Sequence, residues 1–387
     1  VINRISANPM EMRGFVGDYD QREGRYIVYN DIQAPHALRQ VLSEDIFKVP
    51  QKDVQVIAGN VGGAFGMKGP VYPEIRLCAW ASKRLGRPVK WSCERREAFQ
   101  SDEHCRDNVS EAELALTNDG KFLGLRVNTI VAIGAYLSQD RNFLSSVMNL
   151  GCLAGVYTTP AIHVTVRNVF TNTNSTSPYR GAGRPEAAYI IESMADLAAK
   201  ELGLDRTEIR RRNIIPVDAM PFKTGLVYTY DCGEFEKNMD RVMEMIDYAG
   251  FEARREEAKS RGKLRGIAIS NSIERAGAPF PETVEIRFDP TGTVTILAGT
   301  KDQGQGHDTM YKQLLSDKLG IDTDDVRLVD GDTDKVSYGL GTFGSRSAII
   351  GGSALHLAAD KIIEKGTKIA AQVLEAAEAD IAFEDGQ

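Results

Sequence analysis

Alternation of apolar and polar residues with period two marks a series of short strands along this chain, and three-to-four spacing marks helices between them. Val54-Gln55-Val56-Ile57-Ala58 reads as a strand that runs into a glycine turn. Ile75, Cys78, Ala79 and Leu85 then recur at helical spacing from about Glu74, and Gly86 ends that helix. Val89 to Cys93 is the next strand. Earlier, Gly24 to Asn30 reads as strand, and Ala34-Pro35-His36 opens a helix to about Leu42. Ser110 to Val131 alternates as a hairpin about Asn118-Asp119-Gly120, and Ile162 to Phe170 is a further strand. Pro185 stands in the first turn of a helix to about Leu202, whose apolar face includes Ala187, Ile190, Ile191, Met194, Leu197 and Ala198. Asp205 caps a short basic helix from Arg206 to Asn213.

A polar helical stretch from Phe235 to Arg261 reads as the boundary between two lobes. Beyond it, Gly266 to Ser270, Glu282 to Phe288 and Val294 to Ala298 read as strands, and helices are expected over Asp308 to Leu319 and Gly352 to Leu374. The chain has 387 residues, beyond the size at which one core keeps growing, so two lobes are the expectation.

The candidate chemistry sits in four glycine-rich turns: Gly62-Gly63-Ala64-Phe65-Gly66-Met67-Lys68, Pro178-Tyr179-Arg180-Gly181-Ala182-Gly183-Arg184, Asp302-Gln303-Gly304-Gln305-Gly306-His307 and Gly341-Thr342-Phe343-Gly344-Ser345-Arg346-Ser347. Glycine admits positive φ and close approach to a ligand, while Gln, Arg and Ser supply hydrogen-bonding groups. Together they fit one large polar cofactor held from several sides. Gln303 and Gln305 suit the edge of a polar heterocycle, and Ser345-Arg346-Ser347 suits a phosphate with Arg346 as its charge. Arg184 equally fits a pairing with Glu186 or another acid. The first turn also invites a nicotinamide-dinucleotide reading, but Gly-x-x-Gly-Gly-x-x-Gly is not the Gly-x-Gly-x-x-Gly fingerprint, and Lys68 is followed by Gly69 and not by a P-loop Ser or Thr.

Composition narrows the partners. A net charge of −7 argues against a general nucleic-acid binder, and no apolar run approaches a membrane span. The five cysteines are scattered without a Cys-x-x-Cys pair, which suits reduced thiols in a cytoplasmic protein and gives no zinc or iron–sulfur spacing.

These turns, with Asn8-Pro9-Met10-Glu11-Met12-Arg13, Gln33-Ala34-Pro35-His36, Pro185-Glu186-Ala187 and Arg210-Arg211-Arg212-Asn213, resemble the molybdenum-binding large subunit of the xanthine dehydrogenase, aldehyde oxidase and carbon monoxide dehydrogenase family. The resemblance implies an α+β fold of two mixed α/β lobes, residues 1–250 forming the first molybdopterin-binding lobe and 251–387 an incomplete beginning of the second. It implies a molybdopterin, in bacterial members usually the cytosine dinucleotide form, whose dithiolene holds the molybdenum so that no protein side chain need do so. Gly63, Ala64, Phe65 and Gly66 would approach the metal by backbone amides. Gln305, with Gln303 and Gly304, would bind the pterin, and Gly344, Ser345, Arg346 and Ser347 the region near the metal or the phosphates. Arg180, with Gly181 and Ala182, would also line the cofactor, and Arg180 would orient or polarise the substrate.

The same resemblance implies a general-base glutamate in a Gly-x-Gly-Glu context, and this sequence has no such segment. The expectation is a fragment, a separate domain or one piece of a split subunit, working with the remainder of the molybdenum subunit and with iron–sulfur and flavin subunits. Gly181 stands where copper-containing carbon monoxide dehydrogenases carry a copper-binding cysteine, and Ala182 and Gly69 stand where xanthine enzymes carry Phe and Glu. An aldehyde or aromatic N-heterocycle is therefore the expected substrate class, oxidised with water-derived oxygen. A noncatalytic assembly module is the alternative.

Overall fold

The computed structural model describes residues 1–138, 140–143, 151–277, 280–384 and 386. Helices and mixed sheets combine as an α+β fold in two compact units, each discontinuous in sequence: residues 1–6 with 103–274, and 7–102 with 275–387. Compactness therefore cuts across the expected lobes of 1–250 and 251–387. Met239, Ile269 and Ile273 pack into one core on either side of residue 250, which keeps that stretch in the first unit. In the second unit the early and late segments are stitched together, as where Ala58 N–H donates to Gly331 O at 2.8 Å.

In the first unit, Asn108–Leu116 pairs antiparallel with Phe122–Gly134, as the hairpin pattern predicts, and Ile162–Phe170 joins parallel on the other side. Helix Arg184–Leu202 lays Ala187, Ile190, Ile191, Ala195 and Ala198 against Phe122, Leu125 and Val127 of the central strand. Burying each isoleucine there contributes about 2 kcal/mol. Asp205 caps Arg206–Arg211 by accepting from the Thr207 and Glu208 amides. The charged stretch predicted as one helix is two, Phe235–Met245 and Phe251–Ser260, broken where Asp247 turns to φ 48°.

In the second unit, the strands of one sheet run in the order Val54–Ala58, Arg25–Asn30, Gly14–Asp20, Val89–Ser92. Gly14–Asp20 is a strand the pattern did not announce. A side chain at Gly17 would lie 2.4 Å from Ala79 N, so only glycine lets helix Pro73–Leu85 pack this closely on the sheet. A second sheet sets Val294–Ala298 between Val284–Phe288 and Val326–Val329, with helices His307–Leu319 and Gly352–Val373 burying Tyr311, Leu315, Leu355 and Ala359 against it. Val326–Val329 was not foreseen either. Gly266–Ser270, expected as a strand, pairs with no strand among the described residues. No helix of the described residues is long and apolar enough to cross a membrane.

Candidate functional site

The first, third and fourth glycine turns meet in the second unit, and Gln33 joins the first to the fourth. Its side chain, 5 % exposed, accepts from Gly66 N–H at 2.7 Å and donates to Thr342 O at 2.9 Å. Its backbone donates to Lys68 O and accepts from Thr342 N–H. Gly341 makes this approach possible, since a Cβ there would sit 2.1 Å from Gln33 O. The first and third turns touch directly where Gly63 N–H donates to Gln303 O at 3.1 Å. Thr342 completes the junction, its hydroxyl accepting from Lys301 N–H and lying 2.9 Å from Ser347 Oγ.

Each turn is braced from below by buried charge. For the first, Lys68 Nζ is 1 % exposed and sits 2.8 Å from both Glu11 Oε2 and Asp31 Oδ2. Glu11 also accepts from Gly62 N–H, so one carboxylate pins both ends of the loop. Burial pushes the Asp31 carboxyl above its ordinary value, and Lys68 pulls it back down. For the third turn, Asp302 accepts from the amides of Gly304, Gln305 and His307, filling the N-terminus of the His307–Leu319 helix with its own carboxylate. Burial alone would raise its pKa, but the Gly304 amide, His307 and the other amides outweigh it and hold it low. Asp302 therefore stabilises the fold above the ordinary carboxylate pKa of about 4 and loses that contribution as pH falls through its lower folded value. Asp302→Asn sets an amide donor against those N–H groups. It should cost about 1–3 kcal/mol in equilibrium unfolding and flatten the acid limb; an unchanged stability would show that Asp302 does not organise the turn.

The fourth turn corrects one expectation. Arg346 is fully buried, ion-paired with the equally buried Glu282, and donates to the carbonyls of Gly341, Phe280 and Pro281. A guanidinium so enclosed needs its countercharge, and it shapes the turn from beneath without presenting charge to a phosphate. Ser347 is likewise buried against Thr342, whereas Ser345 is exposed at φ 57°. The Gly66 amide is engaged by Gln33, so it is not open to a ligand. Gln305 Oε1 accepts from Gln303 N–H at 2.6 Å, interlocking the two glutamines. Gly69 to Tyr72 separate the first turn from the helix that starts at Pro73, unlike a dinucleotide-binding turn.

What the three turns turn outward is mostly backbone. Gly304, Gly306 and Gly344 have φ of 104°, 82° and 59°, and a Cβ at Gly306 or Gly344 would meet nothing within 4 Å. Phe65, at φ 57°, is 40 % exposed in the first turn. Positive φ at Phe65 and Ser345 carries a cost that clusters at ligand-binding positions.

The second turn lies in the first unit. Arg180 is exposed there, while Gly181 and Ala182 take φ of 101° and 40°. Arg106 grips the turn, donating to the carbonyls of Tyr179 and Arg180 and pairing with buried Glu186 at 3.1 Å. Arg184 pairs with Glu274 at 2.9 Å, another nearby acid. Arg106, Asp31 and Glu282 were not singled out from sequence as site residues, and Gln33, Glu11, Asp302 and Thr342 entered only as members of motifs.

Comparison with known proteins now gives these features a family. Residues 1–214 match one molybdopterin cofactor-binding domain model and 241–387 a second. The chain is 36 % identical over 401 residues to the carbon monoxide dehydrogenase large chain of Hydrogenophaga pseudoflava, covering 98 % of this chain and 49 % of that one. It is 34 % identical over 397 residues to the nicotine 6-hydroxylase large subunit of Paenarthrobacter nicotinovorans, covering 99 % and 48 %. Among solved structures, quinoline 2-oxidoreductase from Pseudomonas putida 86 superposes with a TM-score of 0.92 at 34 % identity, covering 99 % of this chain and 50 % of that one. The chain thus spans about half the length of the curated relatives it matches. It belongs to the molybdopterin cofactor-binding family of molybdenum hydroxylase large subunits.

Proposed function

We propose that this chain forms the cofactor cradle of a molybdenum hydroxylase that oxidises an aldehyde or aromatic N-heterocycle with oxygen drawn from water. The observation that carries this is the meeting of three glycine turns, the first joined to the fourth by Gln33 and to the third by Gly63 and Gln303, with open space over Gly306 and Gly344 for a large polar group. That surface fits a pterin: flat, narrow and rich in hydrogen-bonding edges. When bound, the cofactor supplies a molybdenum centre able to take two electrons from the substrate. The chain's own part is positioning. The Gln305 side chain and the Gly306 backbone would hold the pterin edge, the Ala64 to Phe65 segment and Gly344 to Ser345 would line the metal end, and Ser347 and Arg346 would fix the fourth turn.

Nicotine 6-hydroxylase and quinoline 2-oxidoreductase, by their names, act on N-heterocycles, and Gly181 in place of a copper-binding cysteine favours that class over carbon monoxide. Arg180 is the residue proposed to orient the substrate. The cytosine dinucleotide form of the cofactor, a cytoplasmic location and electron transfer to iron–sulfur and flavin subunits complete the reading.

Gln305→Ala and Gln305→Glu test it in the assembled complex. Glutamate keeps the acceptor for Gln303 N–H but loses the amide donor, so it separates holding the turn from holding the ligand. Both variants should retain less pterin after gel filtration, by roughly fivefold per lost hydrogen bond, and alanine alone should also lower the melting temperature. Full pterin content in both removes Gln305 from the site.

A further inference from the structure

Residues 266–273, Gly-Ile-Ala-Ile-Ser-Asn-Ser-Ile, behave as a strand without a neighbour. Burial alternates with period two: Ile267, Ile269, Asn271 and Ile273 are partly buried, while Gly266, Ala268, Ser270 and Ser272 are exposed. Ile269 and Ile273 pack on the core of the first unit, and Asn271 Nδ2 lies 3.5 Å from the Tyr157 hydroxyl. On one edge, the carbonyls of Ile267 and Ile269 accept from Arg206 at 2.9 Å and Arg210 at 3.1 Å. In an extended chain the N–H and C=O of one residue point to the same edge, so Gly266, Ala268, Ser270 and Ser272 offer theirs to the other. Those groups have no backbone partner among the described residues.

Two further observations say that this edge is covered in the working protein. Natural sheet edges that stay in water carry charges or proline against unwanted pairing, and Gly266 to Ile273 contains neither. Beside it, Met239 of helix Phe235–Met245 lies 3.9 Å from the Asn271 amide and is buried. The stripe that starts at Met239 continues at helical spacing through Val242 and Ile246, which are 47 % and 45 % exposed, with Met245 72 % exposed next to them. A second strand beside the first would bring alternate side chains over that stripe.

We propose that residues 266–273 accept a strand from the half of the large subunit that this sequence does not span. Relatives carry that half, since each is matched over about 49 % of its length. A strand within the same subunit would reach the edge at high effective concentration, which a second copy or another subunit would lack. The pairing is β-augmentation: main-chain hydrogen bonds from Ala268, Ser270 and Ser272, with apolar side chains of the incoming strand covering Val242 and Ile246. It depends on the geometry of the first unit and not on the cofactor reading, so either can fail alone.

Hydrogen exchange and photo-crosslinking on the complete complex test it. The Ala268, Ser270 and Ser272 amides should exchange at least ~100-fold more slowly than in a free peptide, and a photoreactive side chain at Ser270 should link to a peptide of the same large subunit outside this sequence. Exchange near the free-peptide rate, or a link to a second copy or another subunit, overturns the proposal.

Discussion

Arg346→Leu should lower the stability of the second unit by about 3–5 kcal/mol, because it strands a buried carboxylate. Among the described residues, Glu282 otherwise accepts from the amides of Thr283 and Leu340, at 3.1 Å and 3.4 Å, and neither brings a countercharge. The carbonyls of Gly341, Phe280 and Pro281 lose their donor in the same step. In thermal unfolding the loss should appear as a midpoint about 10 °C lower. Replacing both partners, Arg346→Leu with Glu282→Leu, should restore most of it, since two apolar side chains leave no charge unpaired. If Arg346 instead faced a phosphate, the single variant would keep its stability and the double would be no better. The distinction matters for function, because it makes Arg346 a strut of the fourth turn.

Lys68→Met should be comparably damaging, about 3–5 kcal/mol at neutral pH, since Asp31 is only 8 % exposed and loses its cation. The pH dependence distinguishes this cause from lost packing. Asp31 already titrates above the ordinary carboxylate value, chiefly through burial, and removing Lys68 raises it further. A carboxyl with a raised folded pKa binds more protons folded than unfolded, so stability falls as pH rises. The penalty of the variant should therefore be full at pH 7 and shrink as pH is lowered through the raised value toward about 4. A loss independent of pH would mean that Lys68 acts by packing alone. Because Glu11 shares Lys68 and also holds Gly62 N–H, the variant should loosen the first turn as well.

The turns themselves were legible in sequence because glycine beside Gln, Arg or Ser is a local signal. Apart from Asp302, which lies within its own turn, their supports were not, because the pairs are remote in sequence. Gln33 and Thr342, Arg346 and Glu282, and Arg106 and Glu186 meet only once the chain is folded. Local pattern likewise announced the Val54–Ala58 strand and the Arg184–Leu202 helix, whose apolar spacing is complete within each element. It failed at Gly14–Asp20, where Gly17 sits in place of an apolar residue to admit a helix. At residues 266–270 the alternation predicts a strand and the burial does alternate, but no strand forms, because pairing depends on a neighbour that a local pattern cannot report. Arg346 was misread because an arginine in a glycine turn resembles a phosphate ligand until its burial is known.

The most direct measurement of the central claim is metal and nucleotide analysis of the complete complex that contains this chain. Acid release should yield molybdenum together with a pterin nucleotide in comparable amounts, and both should fall together in Gln305→Ala. Release of neither molybdenum nor pterin from a folded, fully assembled complex would contradict the cradle assigned to these glycine turns.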